Sequence, residues 1–209
     1  MKTVIVLCTL LVQVFSDCNF IKSNNNYPRP NIVICNGASP STNEAISKVA
    51  KGKPLNYIAK FTLESYNGNL NSEVLSLFTG LQICIIKNNQ ISTLPNGLFD
   101  YSSEKLESLR IINNQLTTIQ PNVFKTLAKL KKLEVVNNIG LREFDIEWLK
   151  NNKNLEVLGV PTATFKTLTV AKLSSMFPKL RTLIVSEADK TSVRDKIEEI
   201  RQKYTVSTQ

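Results

Sequence analysis

The sequence predicts an α/β fold: a curved solenoid of about six short repeats whose parallel strands make one concave β-sheet. Three observations carry the prediction. Leu106, Leu109, Ile111, Asn114, Leu116, Ile119, Phe124 and Leu127 fall at a spacing that Leu130, Leu133, Val135 and Asn138 begin again. The spacing restarts at Ile58, Leu81, Leu106, Leu130, Leu155 and Leu180, in steps of about 24 residues. A unit of that length cannot bury its own apolar edge, so the units must stack and share a core.

At the N-terminus, Lys2 to Ser16 joins a basic residue to the apolar run Val4 to Leu11 and ends on Val14-Phe15-Ser16, the pattern of a secretory leader over residues 1–16. The run falls short of the roughly 20 residues that span a bilayer, and no second apolar run follows. Residues 17–54 read as an N-terminal cap. Asn24-Asn25-Asn26 and Pro28-Arg29-Pro30 make a loop, and Ile32-Val33-Ile34-Cys35 makes a short strand stopped by Asn36-Gly37. Ala45, Ile46 and Val49 sit at helical spacing. Of the four cysteines, Cys8 lies in the leader, so an oxidising compartment leaves one disulfide and one thiol. A Cys18 to Cys35 disulfide would pin the loop across the first strand edge, which a solenoid has to cover.

Residues 55–190 hold the repeats. Cys84 takes a leucine position and is expected to be buried and inert, because apolar surroundings raise a thiol's pKa and bar access. Asn89, Asn114 and Asn138 recur where the chain leaves the strand, and they are expected to satisfy backbone groups left open by that bend. Ala163 and Ala188 replace the asparagine in the last two units. The returning segments change from the Pro95 to Phe99 type to more helical ones such as Val170 to Phe177, and Trp148 falls among them as a packing residue. Residues 191–209 form a capping helix and tail: Val193, Ile197, Ile200 and Tyr204 make one apolar stripe, opened by Ser192-x-x-Asp195.

On each strand the residues between the core positions point to the concave face. Lys60, Ile83 and Lys132 share one column, Ile85, Arg110 and Glu134 the next, and Lys87, Ile112 and Val136 a third. Contiguous aliphatic surface there would mark an interaction site, and the lysines and Arg110 would steer acidic partners. These nine are the expected ligand-binding residues.

Composition sets the excluded chemistry. The chain has 209 residues, 42% hydrophobic, with a net charge of +9 and no histidine. Without imidazole the commonest general base, the serine and cysteine triads and most zinc sites are lost. No phosphate loop or calcium-loop spacing occurs, so the sequence predicts no enzyme, no cofactor and no metal. No Asn-x-Ser/Thr acceptor occurs either, so no N-glycan shields a face.

With Leu106-Glu-Ser-Leu-Arg-Ile-Ile-Asn-Asn-Gln-Leu and Leu130-Lys-Lys-Leu-Glu-Val-Val-Asn-Asn on the page, the chain resembles the extracellular leucine-rich repeat proteins over roughly residues 55 to 190. The resemblance implies a solenoid that binds protein or glycan ligands on its concave sheet. It departs from that pattern in having no cysteine cap at the C-terminus. The functional expectation is a secreted, non-enzymatic binding module for an extracellular protein, with no nucleic acid and no membrane span. Residues 121–181 hold eleven Lys or Arg against five Asp or Glu, which adds weak attraction for sulfated glycans. The competing expectation is a non-catalytic, regulatory subunit of a secreted enzyme complex, or a self-associating structural protein whose oligomer buries the concave or end surface.

Overall fold

Period-two alternation of apolar residues makes each repeat's leading segment a strand with one face for the core. The computed structural model describes residues 18–21, 31–36, 55–66, 70 and 72–209 and lays these segments side by side in a nine-stranded sheet. In spatial order its strands are β1 (Cys18–Ile21), β2 (Asn31–Asn36), β3 (Ile58–Glu64), β4 (Ile83–Lys87), β6 (Ser108–Ile112), β8 (Lys132–Glu134), β9 (Val157–Gly159), β10 (Thr182–Val185) and β11 (Thr205–Thr208). β5 (Thr93–Leu94) and β7 (Thr118–Ile119) pair with each other on the returning side. β1 runs antiparallel to β2, and the other pairings are parallel. The register is the one the repeats predict, with Lys60 opposite Ile83, Ser108 opposite Lys132 and Val157 opposite Thr182.

One continuous core lies behind the sheet. Phe61, Leu63, Cys84, Ile86, Leu109, Ile111 and Leu133 face it from the strands and Val135 from just past β8, all with 0% exposure. Phe78, Phe99, Phe124, Phe165 and Phe177 close it from the returning segments. Phe61 and Phe78 stack with centroids 4.9 Å apart, and Trp148 packs edge-on against Phe144 at 5.6 Å. Short helices carry the first return, α1 (Ser72–Ser76), and a late one, α2 (Thr162–Thr167) and α3 (Val170–Met176).

The bends are built by paired residues. Ser65, Asn88, Asn113 and Asn137 each take a left-handed backbone conformation, φ 54 to 57°, which asparagine tolerates better than most residues. The residue after three of these is the buried asparagine of the repeat. Asn114 donates to the carbonyls of Ile86 and Ile112 at 3.0 and 3.1 Å, and its Oδ1 accepts from the Asn89 amide at 3.2 Å. Asn138 donates to Ile111 and Val136, both at 3.0 Å, and accepts from the Asn114 amide at 3.2 Å. The ladder starts at Asn89, which donates to Leu63 O and accepts from the Tyr66 amide. Where Ala163 and Ala188 stand, the turn is tied instead by the Thr162 hydroxyl, which donates to Asp189 at 2.6 Å.

The C-terminal end differs from the expectation in two respects. The helix is α4 (Arg194–Arg201), entered through a 3-10 turn at Lys190–Val193, and its N-cap Val193 makes no side-chain cap. Ser192 lies inside the 3-10 turn, where its hydroxyl donates to Asp189 O, and the N-cap is Val193, so the Ser192-x-x-Asp195 capping arrangement does not form. The apolar stripe does seat on the core, with Val193, Ile197, Ile200 and Tyr204 all buried. The chain then adds β11, parallel to β10, so the sheet ends on a strand as well as being flanked by a helix. At the other end, Cys35 is buried and disulfide-bonded, and its Cα partner across the β1 to β2 ladder is Cys18. The Cys18 side chain, the leader and the helical turns expected at 45–49 lie outside the described residues.

Candidate binding surface

The structure divides the nine residues expected on the concave face into two groups. Lys60, Ile83, Ile85, Lys87, Arg110 and Lys132 are half-exposed there. Ile112, Val136 and Glu134 are not available for contact: they are 4%, 1% and 0% exposed. Ile112, Val136 and Ile184 form a second, separate apolar cluster on the concave side, with Val157 against it. The expectation that Ile112, Val136 and Glu134 are open to a ligand on that face is therefore corrected.

Gly159 supplies the physical reason. A Cβ at this position would lie 3.1 Å from Val136 Cγ1 and 3.3 Å from Ile184 Cβ, so the missing side chain is the space into which these two neighbours close. Glu134 lies opposite Gly159 in the register and is sealed by the same closure. Its carboxylate is held by Arg110 Nε and Lys132 Nζ, both at 2.6 Å. Two cations around one buried carboxylate offset its desolvation and leave a surplus positive charge at the surface. Arg110 Nη2 also donates to the Gln209 side chain at 3.2 Å, which ties the tail to the concave sheet.

The half of the sheet toward β2 is open. Ile32 and Ile34 of β2 are half-exposed and stand in register with Lys60 and Thr62, which pair in turn with Ile83 and Ile85. Four isoleucines, two on β2 and two on β4, thus share one face with Lys60 and Thr62 of β3 between them. Ile32 and Ile34 are missed when β2 is read only as a cap strand; their alternation with the buried Val33 and Cys35 is the signal that finds them. The rim is charged. Lys87 pairs with Glu64 at 2.9 Å, and the bonds from Lys87 and then Asn88 hold the Glu64 carboxyl below its ordinary range. Lys60 has no partner among the described residues.

A second concavity opens where the strands end. A cleft of about 840 Å³ is lined by Asn113, Asn137, Arg142, Thr162, Asp189 and Gln209 among others, and Ile139 stands beside it 99% exposed. On its border the Glu187 carboxyl is held below its ordinary range, first by the Thr208 hydroxyl and then by Lys190. Asn137 Nδ2 donates to Gln209 O at 3.4 Å across it. These groups can donate and accept hydrogen bonds to a ligand.

Reactive groups are held quiet. Cys84 is fully buried, and desolvation pushes its thiol up from 9.0 to about 12. Ser174 Oγ lies within 3.0 Å of Tyr204 Oη and accepts from Lys203 Nζ at 2.7 Å, but it donates to its own helix at Val170 O, so its proton has no base to leave to. Among the described residues no group of three His, Cys, Asp or Glu side chains could hold a metal ion, and no helix is long and apolar enough to cross a membrane.

A leucine rich repeat family model matches residues 79–139. Over 102 residues the chain is 30% identical to the human Reticulon-4 receptor-like 2, covering 49% of this chain and 24% of that protein. Over 116 residues it is 29% identical to the rat Leucine-rich repeat-containing G-protein coupled receptor 5, covering 52% and 13%. The chain therefore spans a quarter or less of the length of these relatives. Among solved structures, an internalin (inlF) from Listeria monocytogenes superposes with a TM-score of 0.50 at 18% identity, over 78% of this chain and 43% of that one. That likeness is one of fold.

Proposed function

Since the chain is a leucine-rich repeat protein, we propose that it is a secreted, non-enzymatic module that binds an extracellular protein through the open half of its concave sheet. The observation that carries this reading is the set of half-exposed isoleucines Ile32 and Ile34 on β2 and Ile83 and Ile85 on β4, with Lys60 and Thr62 of β3 between them and Lys87 and Arg110 beside them. An apolar centre within a charged rim is the usual anatomy of a protein interface. The basic rim favours a partner that is acidic around an apolar contact. The receptor-like names of the relatives agree with a binding role, and a Cys18 to Cys35 disulfide fits the oxidising compartment that secretion implies.

The test uses the purified chain as bait for extracellular fluid from its source. A protein retained by the unaltered chain and lost with Ile85→Asp, at a cost of about 1 kcal/mol or more in affinity, supports the reading. A partner that Ile85→Asp retains in full, but that Ile139→Asp loses, moves recognition to the cleft at the strand ends. A second reading, self-association, draws on the same apolar face. Light scattering during size-exclusion chromatography separates the two, because a stable dimer dispersed by Ile85→Asp would replace the heterologous partner.

A further inference from the structure

Each repeat enters its strand from the same edge of the sheet, and backbone bonds lock those entry points in register. The Lys131 amide donates to Glu107 O at 2.8 Å, Glu156 to Lys131 O at 2.7 Å, Arg181 to Glu156 O at 2.9 Å and Thr205 to Arg181 O at 2.9 Å. Just before these positions come Lys105, Lys129, Lys153, Lys179 and Lys203, one on each of five consecutive turns and all exposed. Neighbouring strands lie about 4.8 Å apart, so this is a single file of ammonium groups along the strand-start edge, away from the concave patch.

Their pairing sets this row apart from an ordinary solvated face. None of the five is bonded to a carboxylate among the described residues. Lys153 donates to Met176 O at 3.1 Å, Lys179 to Asn154 Oδ1 at 2.7 Å and Lys203 to Ser174 Oγ at 2.7 Å, all neutral acceptors that position the charge without cancelling it. Lys105 and Lys129 have no partner among the described residues. The acids nearby are Glu104, Glu107 and Glu156; Glu107 is engaged by Lys131 at 2.8 Å, and the charge of Glu156 also falls on Lys131.

We propose that this lysine row is a binding edge for a linear sulfated glycan laid across the strands, one anionic group to each turn or two. A linear polyanion meets regularly spaced charge along its whole length, which a compact acidic protein does not. From Lys105 to Lys203 the aromatic beside the row, Tyr204, is only 5% exposed; the exposed Tyr57 holds the equivalent place before Ile58, two repeats ahead of Lys105. The stacking platform that single-stranded nucleic acid uses is therefore missing. No N-glycan acceptor occurs in the chain to cover the edge. The proposal rests on the extracellular reading above, since sulfated glycans are met outside the cell.

The test titrates the full chain with a heparin-derived oligosaccharide at several salt concentrations around 0.15 M. The variant carrying Lys105→Gln, Lys129→Gln and Lys179→Gln should lose about ten-fold in affinity and flatten the salt dependence by a slope of about 2 to 3. Its thermal midpoint should stay nearly unchanged, because two of the three lysines have no partner among the described residues and the Lys179 bond to Asn154 is exposed. Lys125→Gln with Lys150→Gln and Lys166→Gln, which removes three charges from the returning segments instead, should bind within two-fold of the unaltered chain. The proposal is overturned if the row variant binds as before, if Lys125→Gln with Lys150→Gln and Lys166→Gln costs as much, or if a single-stranded oligonucleotide of equal charge binds as tightly. Retention of the expressed chain inside cells, with glycan binding intact in solution, would instead sink only the extracellular reading.

Discussion

At the residue scale, the solenoid depends on side chains that finish the backbone's hydrogen bonding. Asn114 bonds two carbonyls and one amide at a buried bend, so Asn114→Ala takes a bond from Ile86 O and from the Asn89 amide, while Ile112 O keeps the Asn88 amide at 3.0 Å. We expect a loss of about 2 to 3 kcal/mol, read as a lower denaturation midpoint with the slope unchanged. Cys84 gives a pH dependence with a definite sign. Burial opposes the thiolate only in the fold, so the unfolded chain releases its proton first and stability falls as pH rises through the window from 9.0 to about 12. The decline, up to about 1.4 kcal/mol per pH unit, should vanish in Cys84→Ala when thermal midpoints are compared at pH values above 9. Both roles are legible in the sequence, because a repeat fixes which positions face inward and which sit at the bend.

At the element scale, legibility follows the leucines. Strands β3, β4, β6, β8, β9 and β10 and their register come directly from the period, since each leading leucine names its own place in the stack. β11 carries no such mark: Thr205-Val206-Ser207-Thr208 has one apolar residue, and only its position after the Tyr204 turn brings it beside β10. The closing of the concave cluster escapes the pattern for a different reason. Spacing tells which face a side chain takes, whereas curvature decides whether neighbours on that face touch, and the only local sign is the glycine at 159. The capping helix was legible as an apolar stripe, but its entry was not, because a 3-10 turn takes in Ser192 and leaves Val193 as the N-cap. Removing residues 205–209 should uncover the β10 edge and take Val206 from the core. We expect a lower thermal midpoint together with concentration-dependent association, visible by light scattering, as an unpaired strand edge seeks a partner.

At the scale of the whole molecule, one fold presents surfaces of different character: an open apolar patch on the concave sheet, a sealed half beside it, and a lysine row along the strand-start edge. The net charge of +9 is therefore distributed with a direction. The division of the concave face is the central claim, because it decides which side chains are free to meet a partner. Thermal unfolding of Val136→Asp beside Ile85→Asp tests it without any partner. Val136 is 1% exposed, so a carboxylate there loses its water and its packing, and the account predicts a loss of about 3 kcal/mol or more, a fall of about 10 °C. Ile85 is half-exposed and should cost less than about 1 kcal/mol. Equal midpoints for the two variants, or a greater fall for Ile85→Asp, would contradict the account.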